Sequence, residues 1–371
     1  MKISLNPGNL ASSTVFTGGI PFSELEGFIV SECGHPKKIF ILVDENTREH
    51  CLPILLSNTP CLRNSEILEI PAGEKSKTIE MATTLWGQLI GKQAGRDSLL
   101  ICLGGGVITD LGGFTAALFK RGIRFIHIPT TLMGMVDAAI GGKTAVNLRN
   151  IKNPLGSFTM PEAVFTFSCF LKTLPAELLA DGFSEIMKYG LIQDKALWSK
   201  VRTLMKHGFL KSPWDESVWE TLICRCVELK CRIVNRDYRE LNHRKILNFG
   251  HTIGHALESF SMLNGKYHAS HGKAVAAGMI CESYLSMRVS GLSADEHAGI
   301  TRLILQFSGQ FKISAGDIPA LREFLEQDKK NRNGGFRFSL LTKIGNAVYD
   351  TPCSWEQVNE ALSWYCSLNE L

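Results

Sequence analysis

Residues Ser98–Leu103 read SLLICL, an unbroken apolar run, and pass without a linker into Gly104-Gly105-Gly106. Helical spacing begins at about Ile108. A short apolar run of this kind suits a strand buried on both faces, and glycines at its end suit a tight turn into a helix. Such a strand needs neighbours beside it and helices over it. Lys38–Val43 (KIFILV), Ser65–Ile70 and Arg124–Ile128 (RFIHI) read as those neighbours, and Thr78–Gln93 has the spacing of a covering helix. Strands alternating with helices in this way predict a parallel sheet.

Beyond Ala176 the apolar spacing is mostly helical, with Gly334–Leu341 the exception, a short strand or hairpin. The change falls at Leu171–Pro175 (LKTLP), where Pro175 suits the opening of a helix. The expected division is therefore an α/β domain over residues 1–174 and a mainly helical domain over 175–371. A chain of 371 residues is too long for one small core and supports the division.

Composition narrows the class of function. Forty Lys and Arg against 36 Asp and Glu leave a formal charge of only +4, and no RNP or zinc-finger pattern occurs. A nucleic-acid binder is not expected, whereas basic residues gathered in one cleft suit a small anion. Eleven cysteines show no framework spacing and no paired CxxC, which fits free thiols in a reducing cytosol. The opening MKISLNPGNLASS lacks an apolar core for a secretory signal, and no apolar run is long enough to span a membrane. A soluble cytoplasmic protein is expected.

Three groups of residues carry candidate chemistry. The segment GGGVITD, Gly104–Asp110, sits between strand and helix, where glycines let a ligand approach the backbone and the helix start offers free N–H groups to a pyrophosphate. It is not GxGxxG, and a plain tight turn explains it equally well. Gly73–Lys77 (GEKSK) suits either a polar clamp or a solvated turn, and Asp44 suits either a ribose contact or a helix cap. The third group is a set of metal ligands. Glu185 and Lys188 share a helical face, His251 and His255 lie four apart in GHTIGH, and His271 follows in SHGKAVAAG. HTIGH lacks the glutamate of the zincin HExxH, which argues against a metalloprotease. One glutamate and two histidines leave a coordination position open to substrate. His268 competes with His271 on spacing alone.

The segment Leu103–Asn147, LGGGVITDLGGFTAALFKRGIRFIHIPTTLMGMVDAAIGGKTAVN, closely resembles the glycine-rich and PTT–VD–GGKT motifs of the 3-dehydroquinate synthase family of sugar-phosphate cyclases. The resemblance continues through Lys152-Asn153, LKTLP, SEIMKYGLI at Ser184–Ile192 and ELKCRIVNRDYRE at Glu228–Glu240. LNFGHTIGHALE at Leu247–Glu258, HGKAVAAGM at His271–Met279 and DKK at Asp328–Lys330 complete it. It implies an N-terminal Rossmann-like α/β domain followed by a mainly helical domain, the dehydroquinate synthase-like fold, in a homodimer. Fold alone gives no function, since metal-dependent polyol dehydrogenases share the architecture.

Carried over position by position, the resemblance makes Glu185, His251 and His271 ligands of one divalent metal, zinc or cobalt. It places Asp44, Glu74, Lys77, Gly105, Gly106, Asp110, Thr130, Thr131, Lys143, Lys152 and Thr173 around NAD. Asp137, Lys143, Lys152, Asn153, Lys188, Lys230, Arg244, Asn248 and His255 fall to the substrate pocket, with Lys329 or Lys330 beside them. Arg121 matches an arginine that reaches the substrate phosphate from the neighbouring subunit. Two positions depart from the pattern. Thr109 stands for a glycine, where its side chain would crowd a pyrophosphate, and Lys273 stands for a glutamate next to a proposed metal ligand.

The implied substrate, 3-deoxy-D-arabino-heptulosonate 7-phosphate, carries a carboxylate and a phosphate, which gives the lysines and Arg244 a physical use. Oxidation of the hydroxyl on its fifth carbon acidifies the neighbouring proton. Phosphate elimination, re-reduction and an intramolecular aldol closure then follow, with NAD regenerated. Three rivals remain at this level. They are a cyclase of the 2-deoxy-scyllo-inosose or 2-epi-5-epi-valiolone type, a polyol dehydrogenase, and an inactive binding protein. Arg244 with Asn248 favours a carboxylate-bearing substrate over the first.

Overall fold

The computed structural model of the chain describes residues 1–7, 12–34, 36–149, 151–209, 214–264, 270–326 and 335–368. Lys329, Lys330 and His268 lie outside the described residues. The chain divides into two compact units, Met1–Leu179 with Trp214–Arg239, and Ala180–Pro213 with Glu240–Leu371.

Nine strands are described in the first unit: β1 (Lys2–Leu5), β2 (Ser13–Phe16), β3 (Ile39–Asp44), β4 (Glu66–Ile70), β5 (Leu99–Gly104), β6 (Arg124–Pro129), β7 (Lys143–Leu148), β8 (Ile151–Phe158) and β9 (Ala163–Phe165). Seven of them form one sheet in the order β1-β2-β9-β6-β5-β3-β4, parallel except for β1 against β2. β7 and β8 form a separate antiparallel hairpin. Every residue of β5 is buried, as its unbroken apolar run requires. On one face Phe40, Leu42, Leu100 and Cys102 pack with Leu85 and Leu89 of helix Ile79–Gly91 and with Leu111 and Phe114 of helix Gly106–Leu118. The expected strands and the expected parallel sheet are present. The helix after the glycines starts at Gly106 rather than near Ile108, because Gly105 itself is the N-cap.

This division falls elsewhere than the expected 174/175. The first unit runs to Leu179 and takes back 214–239, which holds helix Glu216–Arg236. Tertiary packing decides this: Lys230 of that helix pairs with Asp137, and Cys224 lies 3.6 Å from the Thr17 hydroxyl.

The second unit is built mainly of helices. It includes most of Ala176–Gln193 and the helices Lys195–Lys206, His251–Asn264, His271–Val289, Ala294–Ser308, Ile318–Glu326 and Trp355–Ser367. Its described strands are one antiparallel hairpin, Phe336–Lys343 with Asn346–Cys353, longer than the short strand or hairpin expected there. No described helix is long and apolar enough to cross a membrane.

Candidate functional site

In the first unit the chain leaves β3 to form β4 on one side and later β5 on the other. Between β3 and β5 the strand order therefore reverses, and ligands of open parallel sheets bind outside the strand carboxyl ends at such a point. Asp44 ends β3, Gly104 ends β5, Gly73–Lys77 follows β4, and Thr130 and Thr131 follow β6. Asp44, Glu74, Lys77, Gly105, Thr130 and Thr131 thus lie at the carboxyl ends of the sheet strands. Asp44 also caps the helix Glu45–His50, accepting the Thr47 N–H at 2.8 Å through Oδ1. Capping occupies one carboxylate oxygen without excluding a second role for the other.

The loop after β4 is not a solvated turn. Lys77 is buried, and its Nζ lies 2.5 Å from Asp110 Oδ2 on helix Gly106–Leu118. Burial, the larger influence, pushes the Asp110 carboxyl above the usual range, while Lys77 and Lys143 pull it down. Glu74 accepts from the Asn147 amide at 2.7 Å, and Asn147 Oδ1 accepts the Asn153 N–H at 3.0 Å. Asn147 therefore ties the loop after β4 to both strands of the hairpin, a role the sequence reading left out although the residue closes the motif GGKTAVN.

The glycines divide by cause. A Cβ on Gly105 would stand 2.8 Å from the Thr131 methyl, so the chain itself demands glycine there. A Cβ on Gly106 would meet only Ala138, at 3.4 Å. Nothing in the chain crowds that helix start, which fits a pyrophosphate approaching its free N–H groups. Thr109, buried at 1% exposure, turns its hydroxyl back onto the carbonyls of Gly105 and Gly106 at 3.3 and 3.2 Å. Thr173 likewise donates to Phe170 O at 3.3 Å.

Two more predicted residues of this unit form a part-buried ion pair: Lys230 Nζ lies 2.6 Å from Asp137 Oδ1. Lys143, exposed at the start of β7, and the half-buried Lys152 and exposed Asn153 on β8 flank the same hairpin. Asn153 holds a left-handed φ of 53°. Arg121 is exposed in a turn where Lys120, Arg121 and Gly122 all have positive φ, at 50°, 68° and 112°. Two consecutive non-glycine residues in that region are strained, which happens where a structure must present a side chain in a set direction.

In the second unit one carboxylate and three imidazoles converge. Ligand nitrogens of His251, His255 and His271 all lie within 4.8 Å of one another. Glu185, fully buried, points Oε1 at His251 Nε2 across 3.4 Å and holds Lys188 through Oε2. The ring protons are assigned by their acceptors. His251 Nδ1 donates to Phe249 O at 3.2 Å and His271 Nδ1 donates to Glu258 Oε2 at 3.2 Å. Both rings therefore keep Nε2 as a lone pair, the tautomer of imidazoles that ligate a metal through Nε2. Burial, with help from Lys188, holds His251 below its ordinary pKa, so the ring stays neutral as a ligand must. The donor set fits a zinc-type ion. His255, expected only in the substrate pocket, belongs geometrically to the same cluster. Arg244 is 1% exposed, and Asn248 donates to Glu240 at 2.7 Å. The Lys273 side chain is half-buried, one residue past the helix start at His271 and Gly272.

Comparison with known proteins agrees with this layout. The models for the N-terminal and C-terminal parts of 3-dehydroquinate synthase match residues 67–181 and 182–331. A 3-dehydroquinate synthase from Parabacteroides distasonis is 40% identical over 92% of this chain and 95% of its own length. One from Pseudoalteromonas translucida is 40% identical over 78% of this chain and 80% of its own. Among solved structures, a 2-deoxy-scyllo-inosose synthase with carbaglucose-6-phosphate, NAD+ and Co2+ superimposes with TM-score 0.82 at 22% identity, covering 98% of this chain and 99% of that one. A 2-epi-5-epi-valiolone synthase from Streptomyces hygroscopicus with NAD+ and Zn2+ gives 0.80 at 24%, covering 98% of each chain. A probable glycerol dehydrogenase from Sinorhizobium meliloti gives 0.60 at 14%, covering 94% of this chain and 95% of that one. The two family models together span most of the chain, and the sequence relatives exceed the identity at which membership is in doubt: this chain belongs to the 3-dehydroquinate synthase family.

Proposed function

We propose that this protein is a 3-dehydroquinate synthase, converting 3-deoxy-D-arabino-heptulosonate 7-phosphate to 3-dehydroquinate and phosphate. The observation that carries the reading is the convergence of Glu185, His251, His255 and His271, with two rings already oriented by Phe249 O and Glu258. When bound, NAD supplies a reversible hydride acceptor and a divalent ion, zinc or cobalt, a Lewis acid for the substrate's hydroxyl oxygens.

The chain's own residues account for the rest. Glu185, His251 and His271 hold the ion, with His255 a fourth donor or a contact to substrate. The edge formed by Asp44, Glu74, Lys77, Gly105, Gly106, Asp110, Thr130, Thr131 and Thr173 holds the dinucleotide, assisted by Lys143 and Lys152. Lys143, Lys152, Asn153, His255 and Arg121 bind the phosphate, Arg121 from a partner subunit. Its exposed, strained presentation supports that role. Arg244, Lys188, Lys230, Asn248 and Asp137 orient the carboxylate and hydroxyls, with Lys329 or Lys330 adding charge. A guanidinium can pair a carboxylate through two parallel hydrogen bonds, which suits Arg244 to carboxylate recognition. The departing phosphate acts as the base at the acidified carbon.

A homodimer in the cytoplasm completes the reading. None of the eleven cysteines forms a disulfide, which suits a reducing compartment. Leu148, Ile151, Leu155 and Phe158 are exposed apolar side chains of the β7–β8 hairpin, which suits self-association.

The test is to mix purified protein with the heptulosonate phosphate and a catalytic amount of NAD, then identify the product by mass and NMR. Stoichiometric phosphate release without a steady rise in NADH absorbance is expected. Accumulating NADH would establish a dehydrogenase instead, and ligand binding without phosphate release an inactive binding protein.

A further inference from the structure

The proposed metal centre depends on two helices meeting at backbone distance. A Cβ on Gly278 would stand 2.0 Å from Gly250 O and 2.7 Å from Gly254 N. A Cβ on Gly254 would meet the Val275 Cα at 3.0 Å and Ala274 O at 3.1 Å. So helix His251–Asn264 and helix His271–Val289 touch along their glycines. Close packing fixes their separation, but helices in contact can still slide or rotate by a fraction of a turn. Something must fix the register that sets His251 against His271.

Two buried glutamates meet that need, and each lies on the helix opposite the group it holds. Glu258, on the His251 helix, accepts the His271 ring proton. Glu282, on the His271 helix, accepts the Gly250 N–H at 2.6 Å through Oε2 and the Ile253 N–H at 3.0 Å through Oε1. Glu282 is fully buried. Gly250 immediately precedes the His251 helix and Ile253 lies in its first turn, where N–H groups lack helical partners. A carboxylate there also opposes the positive end of the helix dipole.

We propose that Glu282 is a positioning residue for the metal centre. By fastening the first turn that begins with His251, it completes a reciprocal clamp in which each ligand helix anchors the other's histidine. The inference rests on the metal reading above and assigns a role to a residue that touches neither ion nor substrate. Glu282→Gln tests it, because the amide puts an N–H where one oxygen accepted an N–H.

Zinc affinity is measured on metal-stripped protein by competition with a chelator, alongside thermal unfolding without metal. Tyr365→Phe serves as the control. It removes the hydroxyl that accepts the buried Phe311 N–H at 2.9 Å, and it lies on neither ligand helix. Zinc affinity is expected to fall by about 10- to 100-fold in Glu282→Gln, the usual size of an outer-shell effect, and to hold in Tyr365→Phe. Wild-type affinity in Glu282→Gln overturns the proposal, as does an equal loss in both variants.

Hydrogen exchange on the wild type provides a second measurement that needs no variant to fold. The Gly250 and Ile253 amides are expected to be protected before metal is added. Rapid exchange until zinc arrives would mean the clamp is not preformed and would overturn it. If the wild type binds no zinc at all, the metal reading itself fails, which is distinguishable from a clamp that does not matter.

Discussion

Lys77 and Asp110 show how a single pair can serve both folding and ligand binding. Their side chains are only 6% and 19% exposed, so each charge depends on the other. Lys77→Met leaves a buried carboxylate without its cation and is expected to cost about 3 kcal/mol of stability. Adding Asp110→Asn should recover most of that loss, because the unpaired charge goes with it. Thermal unfolding of the two single variants and the double variant checks this, and strict additivity would contradict it. A buried imidazole makes a different prediction. His127, on β6, is 3% exposed, and burial pushes it from 6.5 down to about 3. The unfolded chain therefore takes up that proton first. Stability is complete above about pH 6.5 and declines as pH falls toward 3, by up to about 1.4 kcal/mol per unit. The fall in melting temperature between pH 7 and pH 5 should be smaller in His127→Leu than in the wild type. Equal slopes would show that His127 does not titrate between the two states.

At the scale of elements, the glycines separate packing from propensity. Gly278 and Gly299 are both helical, yet a Cβ on Gly278 would meet Gly250 O at 2.0 Å and one on Gly299 would meet nothing within 4 Å. Gly299→Ala is expected to raise stability by up to about 1 kcal/mol through helix propensity alone. Gly278→Ala should lower it by about 2 kcal/mol and weaken zinc binding, since the ligand helices must move apart. Unfolding and zinc titration of both variants test the contrast. The same elements show what a sequence makes legible. β3, β5 and β6 are readable because a strand buried on both faces needs a nearly continuous apolar run, and β4, at the sheet edge, is readable from its alternation of Glu66 and Glu69 with buried Leu68 and Ile70. β1, β2 and β9 are too short to announce themselves, and β7 and β8 carry the polar residues of a hairpin exposed along one strand. The His251–His255 pair is legible from four-residue spacing. Glu258 and Glu282 are not, because in sequence a buried carboxylate looks the same as a solvated one. The return of helix Glu216–Arg236 to the first unit is also illegible, since it rests on contacts between residues far apart in sequence, such as Lys230 with Asp137.

At the scale of the whole molecule, the assignment of Arg121 requires more than one chain. If this arginine binds phosphate in a partner's active site, two inactive variants should repair each other. Arg121→Ala lacks the donated guanidinium but keeps its own metal ligands. Glu185→Ala loses its metal but can still donate Arg121. In a mixed dimer the first chain's metal site receives an intact arginine from the second, so one of the two sites works. The other site lacks both parts. Random exchange of equal amounts makes half the dimers mixed, so activity should recover to about a quarter of the wild-type value. The experiment mixes the purified variants under conditions that allow subunit exchange and follows phosphate release. Recovery on mixing, with each variant near background alone, places the arginine across the interface. A mixture no more active than its components, although native mass spectrometry shows mixed dimers, would return Arg121 to its own chain and leave the phosphate to Lys143, Lys152, Asn153 and His255.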